Sequence, residues 1–492
     1  MSNLSVKNVT KVYGATTVLN DVTLNLNPRD RVVLVGENGS GKTTLLRILA
    51  GLEEPSKGTI FTDTHTPRAY VAQEFDGNPD QTGGEFIGSG KAQQAALQML
   101  EGLDMPASLL KLKMGVMSGG QKKILQLIKA FASRVPFLLL DEPENHLDYF
   151  AREWLVAVLR EYRGCVAFVS HDQYVIDQVA NVIVEIEDGK IATYRGDYQF
   201  FLEEKARQMR GRMSEWEHMQ REIARHKKMV EHLRPIAKMT SKVAGHYRDK
   251  KRRLGQLIEN QTARPRIERQ KMKLTIGDVD KKRGKRILQL ENVSLKLGNQ
   301  TLFRQANAQL VFGERVCLLG RNGSGKSSLI NMIRGALEPN SGVLKIGVAI
   351  EAGFFSQEHY EELNPEATPL QEVGKVVKGG EQRTRSILSS FLIDQTAANR
   401  KISTLSGGQK TRLRFAKLFA RDLEFLVLDE PTNHLDTLSW QVLLEALKAF
   451  KGTLLLVSHD RAFVDEVVDK LWVLDGGEIN VFLGNLSEFL GE

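Results

Sequence analysis

An α/β fold, with two P-loop domains joined by a long antiparallel α-helical hairpin, is predicted by three observations. An ordered set of motifs occurs twice along the chain at a nearly constant offset. Each copy alternates short apolar strands with amphipathic helices, the pattern of a largely parallel sheet. Between the copies lies a basic segment with coiled-coil spacing. At 492 residues the chain has room for two to four domains of roughly 150 residues. The expected boundaries are 1–200 and 287–492 for the duplicated domains and 201–286 for the linker, with its tip at about 235–246.

The repeat is read from its landmarks. Gly36-Glu-Asn-Gly-Ser-Gly-Lys-Thr43 returns as Gly320-Arg-Asn-Gly-Ser-Gly-Lys-Ser327, and Gln73-Glu74 as Gln357-Glu358, both at an offset of 284. Ser118-Gly-Gly-Gln-Lys122 returns as Ser406-Gly-Gly-Gln-Lys410 at an offset of 288. Leu140-Asp-Glu-Pro143 and Ser170-His-Asp172 recur at that same offset. Five motifs repeated in order mean duplication.

Within each copy, Arg31–Val35 and Arg315–Leu319 are expected as strands running into the glycine loops, with helices Thr44–Ala50 and Ser328–Arg334 behind them. Phe137–Leu140, Val166–Ser170, Glu424–Leu428 and Leu454–Ser458 are continuous apolar runs, the mark of strands buried on both faces. Ser5–Tyr13 with Asp21–Leu26, and Leu288–Leu297 with Ala308–Phe312, are expected to form an antiparallel layer beside each sheet.

The linker differs in texture. Leu202, Ala206, Met209, Met213 and Trp216 follow a 4-3-4-3 spacing; Met219, Ile223, Val230 and Leu233 continue it after one gap. Pro235 is expected to stop this helix, and Val243, Tyr247, Leu254 and Leu257 mark a second running back to Pro265. Residues 203–286 hold 26 Lys/Arg and 11 Asp/Glu, a charge of +15. The overall charge is +8, so the remainder carries −7. A basic stripe confined to one segment is the footprint expected for a phosphate backbone.

Gly-x-x-x-x-Gly-Lys-Thr/Ser between a strand and a helix is a P-loop, whose backbone N–H groups and helix N-terminus converge on phosphate oxygens. Gly36, Glu37, Asn38, Gly39, Ser40, Gly41, Lys42, Thr43 and Thr44 form one candidate nucleotide cradle. Gly320, Arg321, Asn322, Gly323, Ser324, Gly325, Lys326, Ser327 and Ser328 form the other. Lys42 and Lys326 suit β/γ-phosphates, while Thr43 and Ser327 offer hydroxyls to Mg²⁺. Asp141 and Asp429 end buried strands where a carboxylate reaches the metal. Glu142 and Glu430 follow immediately, placed to activate water.

This set of motifs resembles the ABC ATPases across both halves. The resemblance implies ATP and Mg²⁺ as cofactors, with Gln73 and Gln357 sensing metal and attacking water and His171 and His459 contacting the γ-phosphate. It implies that Ser118, Gly119, Gly120 and Gln121, and likewise Ser406, Gly407, Gly408 and Gln409, each close the other half's site in an internal pseudo-dimer. Tyr13 stands where the family stacks an aromatic on adenine; Leu297 stands there in the second half. Glu144 is a second departure, opposite Thr432.

Two such domains flanking a basic helical linker, with Asn145-His-Leu-Asp148, Asn433-His-Leu-Asp436 and Gly196-Asp-Tyr-x-x-Phe-Leu202, resemble the ABC-F family. That resemblance implies a monomeric, ATP-hydrolysing ribosome partner. Its linker would reach rRNA and tRNA near the exit site and the peptidyl-transferase centre. Only 44 residues separate Gln73 from Ser118, and the chain closes at Glu492 without an added coiled coil, features similar to the ribosome-protection, antibiotic-resistance branch. The alternative is a housekeeping factor acting on stalled or early elongating ribosomes.

A transporter-associated ATPase has no place for a basic wedge. A DNA-repair ATPase would require longer coiled coils or zinc cysteines, so no DNA partner is expected. Apolar runs such as Cys165–Val169 fall far below the ~20 residues of a membrane helix. Met1–Lys11 is polar and strand-like rather than a signal peptide. Two cysteines, Cys165 and Cys317, cannot build a disulfide framework or a zinc site. A cytoplasmic protein without membrane partner is therefore expected.

Overall fold

The computed structural model describes all residues except 1–3, 38, 63–65, 238–240, 260–283, 299, 356–362, 433–434, 436 and 492. The chain forms two compact units, one comprising Met1–Arg195 with Met272–Glu492 and the other Gly196–Lys271.

In the first half of the larger unit the strands are β1 (Leu4–Tyr13), β2 (Thr16–Leu26), β3 (Arg31–Val35), β4 (Lys57–Thr62), β5 (Arg68–Val71), β6 (Phe137–Asp141), β7 (Cys165–Val169), β8 (Val182–Glu187) and β9 (Lys190–Arg195). The second half repeats them as β10 (Arg286–Leu297), β11 (Gln300–Val311), β12 (Arg315–Gly320), β13 (Ser341–Ile346), β14 (Ala352–Phe355), β15 (Phe425–Asp429), β16 (Thr453–Val457), β17 (Lys470–Asp475) and β18 (Glu478–Leu483). Each half has a six-stranded sheet, ordered β5-β6-β7-β3-β8-β9 and β14-β15-β16-β12-β17-β18. Only the last pair of each is antiparallel.

The apolar runs are continuous because both sheet faces are covered. In the second half, Val316 and Leu318 face the core with the antiparallel sheet and Trp472. Cys317 and Leu319 face the opposite core with Phe415 and Leu443. Truncating a side chain such as Leu428, fully buried in β15, to alanine would cost ~2–5 kcal/mol.

The antiparallel layers contain three strands each, β2-β1-β4 and β11-β10-β13, where only two were expected. The third lacks apolar alternation: Lys57, Gly58 and Thr59 are all exposed. Its glycine has a reason. Gly58 (φ +92°) and Gly342 (φ +84°) lie against the carbonyls of Asn8 and Asn292, which a Cβ would strike. Those two asparagines are themselves left-handed, at φ +53° and +50°, in the irregular middle of β1 and β10.

The P-loop helices begin two residues earlier than expected, at Lys42 and Lys326, because Gly41 and Gly325 turn left-handed as their N-caps (φ +103° and +107°). β3, β7 and β6 are neighbours, as are β12, β16 and β15. The P-loop, the Ser-His-Asp turn and the Asp-Glu pair therefore leave the carboxyl ends of three adjacent strands, where open α/β sheets bind ligands.

The smaller unit holds helices Tyr198–Ala237 and Ser241–Glu259. They pack on each other across a three-residue connection, which requires a hairpin. Asp197 Oδ1 accepts from the Phe200 N–H at 2.8 Å, fixing the start. Pro235 does not stop the first helix; it lies in its last turn, where it costs one ladder bond near an end already losing its partners. Met209, Met213, Trp216, Met219, Ile223, Val230 and Leu233 are half-buried, while Leu202 and Ala206 are exposed. The gap in the seam is filled by His226, which is buried. Lys238, Met239 and Thr240 of the expected tip, and Pro265, lie outside the described residues. Among the described residues no helix is long and apolar enough to cross a membrane.

Candidate functional site

Each P-loop lysine is folded back over its own loop. Lys42 Nζ donates to the carbonyls of Gly36 (2.8 Å) and Glu37 (3.0 Å). Lys326 Nζ donates to those of Gly320 (2.7 Å) and Arg321 (3.2 Å). Burial lowers the Lys326 ammonium from its usual range, against the pull of Glu430, Asp148 and Asp429.

In the first half, β6 ends at Asp141, which is buried and whose carboxyl is pushed up chiefly by desolvation. Thr43 and Tyr70 both bond to that carboxylate, Tyr70 from 3.3 Å. Glu142, at φ +44°, holds a backbone conformation that side chains rarely adopt. Its carboxylate accepts from Gln73 Nε2 at 2.8 Å and Asn145 Nδ2 at 2.5 Å. His171 Nε2 stands 4.0 Å from its other oxygen. The sequence thus assembles five expected residues, Thr43, Gln73, Asp141, Glu142 and His171, around one point.

The second half repeats this with Glu430 at φ +47°. His459 Nε2 lies 3.3 Å from Glu430 Oε1. Burial pushes Glu430 up to about 7 and holds His459 well below its ordinary range, reinforced by the positive charge of Lys326 and Arg152. The pair is therefore a neutral imidazole against a carboxyl poised near neutrality rather than a fixed ion pair. Asn38 and Gln357 lie outside the described residues.

The two halves share a cavity of about 810 Å³. One wall is the second P-loop, with Arg321, Asn322, Gly323, Gly325, Lys326, Ser327 and Ser328, backed by Asp429, Glu430 and His459. The other is the first half's Ser118, Gly119, Gly120 and Gln121. Ser118 caps helix Gly119–Ala132 reciprocally with Gln121, directing its N-terminus, where anions are favoured, into the cavity. Ser406 and Gln409 repeat that capping box on helix Gly407–Phe419. Leu297 lines the cavity, whereas Tyr13 is half-exposed with its hydroxyl donated to Glu53.

Direct bonds cross the cavity. The Asn322 amide donates to Asp148 Oδ2 and Asn322 Nδ2 to the His146 carbonyl, both at 2.8 Å. Arg321 pairs with Asp104 at 2.8 Å.

Several buried polar atoms have no hydrogen-bond partner among the described residues: Ser40 Oγ, Ser324 Oγ, Asp141 Oδ1, Glu430 Oε2 and His459 Nδ1. Native interiors rarely leave such atoms unpaired. Clustered on the P-loops and at the strand ends, they fit a ligand that brings both acceptors and a cation, as a nucleotide with Mg²⁺ does.

Sequence reasoning missed Lys123 and Arg152, and marked Glu144 only as a departure from the repeat. Lys123, buried, donates to the carbonyls of Ala72 (3.0 Å), Gln73 (3.2 Å) and Asp141 (3.2 Å), and burial lowers it to about 8. Glu144 Oε1 accepts from Ser170 Oγ (2.6 Å) and the His171 N–H (3.2 Å), and burial pushes it up to about 7. Arg152 is buried between the halves. At an offset of 288 they face Thr411, Thr432 and Trp440. A charge opposite a neutral residue within the repeat was the available signal.

Residues 19–145 and 303–433 match the family model described as ABC transporter; residues 184–275 match a second model of that description. The uncharacterized ABC transporter ATP-binding protein YfmR of Bacillus subtilis (strain 168) is 31% identical over 543 residues, covering 100% of this chain and 84% of that one. ABC transporter F family member 2 of Arabidopsis thaliana is 30% identical over 540 residues, covering 99% and 79%. The chain belongs to the ABC-F family. ATP-binding protein Uup of Escherichia coli (strain K12) is 29% identical to this ABC-F protein over 547 residues, covering 100% and 83%.

Among solved structures, the RNase-L Inhibitor matches with a TM-score of 0.62 at 19% identity, covering 99% of this chain and 92% of that one. The archaeal ribosome recycling factor aABCE1, in complex with ribosomal stalk protein aP1, matches at 0.61 and 20% identity, covering 98% and 92%. The fold is shared. The ABC-F protein is an ATPase of the ATP-binding cassette type.

Proposed function

We propose that this ABC-F protein is a ribosome-associated ATPase. Its hairpin inserts toward the peptidyl-transferase centre, against rRNA and tRNA near the exit site, and protects translation from antibiotics of the large subunit. The carrying observation is the segregation of charge: +15 within 203–286 against −7 elsewhere. Such a stripe takes most of its affinity from phosphates. The ribosomal stalk partner of the archaeal structural relative is compatible with this choice. The short span between Gln73 and Ser118 favours protection over a housekeeping role.

In this reading Lys42 and Lys326 leave their loop carbonyls to meet β/γ-phosphates, and the P-loop amides bind the phosphate oxygens. Thr43 with Asp141 and Gln73, and Ser327 with Asp429 and Gln357, would hold Mg²⁺, which supplies charge neutralisation at the transferred phosphoryl group. Glu142 and Glu430 orient and deprotonate the attacking water; the near-neutral poise of Glu430 suits that task. His171 and His459 hold the γ-phosphate end. Ser118–Gln121 closes the second site and, by the internal repeat, Ser406–Gln409 the first. ATP would then clamp the halves and hydrolysis release them.

Glu142→Gln with Glu430→Gln should hold ATP and keep the protein on ribosomes. Failure to co-sediment with ribosomes in ATP would refute the ribosomal reading. Expression in a susceptible strain should raise inhibitory concentrations for one group of large-subunit drugs. Unchanged values throughout would leave the housekeeping assignment instead.

A further inference from the structure

Arg152 stands one turn into helix Tyr149–Glu161, only 6% exposed. Its Nε donates to the Leu147 carbonyl at 3.2 Å, in the first half's Asn-His-Leu-Asp loop. One terminal nitrogen donates to Asp172 Oδ2 at 2.6 Å and also to the His459 carbonyl at 3.0 Å. Asp172 caps helix Gln173–Val179 with its other oxygen. A single guanidinium thus joins a loop and a helix cap of the first half to the backbone of the second half's histidine.

The repeat does not copy this. Trp440 occupies the equivalent position, and an indole has one donor. It is spent on Asp460 Oδ2 at 2.6 Å, the cap of helix Arg461–Val467. The second half therefore keeps the tie to its own helix cap, but this side chain has no further donor with which to reach across.

We propose that Arg152 is a positioning residue that couples the two nucleotide sites in one direction. By fixing the His459 carbonyl it sets the imidazole 3.3 Å from Glu430, so that hydrolysis at the second site depends on the loop arrangement of the first. The proposal rests on Glu430 and His459 serving the second site.

Turnover is measured on the full chain with one site silenced at a time. With Glu142→Gln silencing the first site, Arg152→Gln should lower second-site kcat about tenfold while the KM for ATP moves less than about threefold. Arg152→Lys keeps a cation beside Asp172 but not the planar fork that spans three acceptors. It should retain the wild-type melting temperature and still lose second-site kcat. With Glu430→Gln silencing the second site, Arg152→Lys should leave first-site kcat within about twofold. Equal losses at both sites, or second-site turnover preserved in Arg152→Lys, would overturn the coupling. Turnover persisting in the Glu142→Gln, Glu430→Gln double variant would instead overturn the glutamate assignment, and the site-resolved coupling with it.

Discussion

Asn322 and Asp148 join the halves through a backbone bond: the Asn322 amide, inside the second P-loop, donates to Asp148 Oδ2 at 2.8 Å. The other carboxylate oxygen of Asp148 accepts from the Ala151 N–H at 3.0 Å and caps helix Tyr149–Glu161. One side chain therefore starts a helix in one half and fixes a phosphate loop in the other. Asp148→Asn separates these tasks, since an amide oxygen still caps while its NH₂ cannot accept from Asn322. Melting should be nearly unchanged and second-site turnover reduced. Asp148→Ala should lose the cap as well, about 1 kcal/mol of stability. Melting curves and ATP turnover in the Glu142→Gln background check both.

Gly120 is pressed between the halves. A Cβ there would stand 2.6 Å from the His146 carbonyl oxygen and 2.7 Å from Asn322 Nδ2. The first of these is backbone and cannot swing aside. That carbonyl belongs to the first half's own Asn-His-Leu-Asp loop and accepts from Asn322 Nδ2 at 2.8 Å, so Gly120→Ala should displace this loop and loosen its hold on the second P-loop. The expected result is a second-site turnover reduced at least about tenfold, read in the Glu142→Gln background.

How much of this could be read beforehand differs by feature. The P-loops and strand ends follow from local pattern, because each motif needs a fixed residue at a fixed spacing. Arg152, Lys123 and Glu144 carry no such pattern. Their partners, His459, Ala72 with Gln73, and Ser170, are distant in sequence, so only the packed fold brings them together. The third strand of each antiparallel layer was hidden because its residues show no apolar alternation. Pro235 misled because the helix runs only two residues past it, so that a single ladder bond is lost in the last turn.

Glu144 gives the first site a pH dependence. Its folded value, pushed up to about 7 by burial, lies above the ordinary carboxyl value of 4.5. Between these values the folded protein keeps a proton that the unfolded chain has released. Its contribution to stability is therefore full below pH 4.5 and is lost as the pH rises to about 7. Glu144→Gln removes this titration while keeping an acceptor for Ser170. The wild-type minus Glu144→Gln difference in melting temperature should fall as pH rises from 5 to about 7 and flatten above it. A difference that is constant across that range would refute the assignment. Lys123, lowered to about 8, adds no slope below that value.

The hairpin offers the last prediction. Arg248, Lys251, Arg252 and Arg253 are exposed on helix Ser241–Glu259, four cations within six residues. If the hairpin binds phosphates, each neutralised contact should weaken association uniformly and lower the slope of log affinity against log salt by roughly one. Replacing Lys251, Arg252 and Arg253 with glutamine should therefore reduce that slope by at most about three, leaving ATP turnover of the free protein unchanged. Ribosome co-sedimentation of the Glu142→Gln, Glu430→Gln protein across a salt series measures it. An unaltered slope would place the phosphate contacts on other residues of the basic segment.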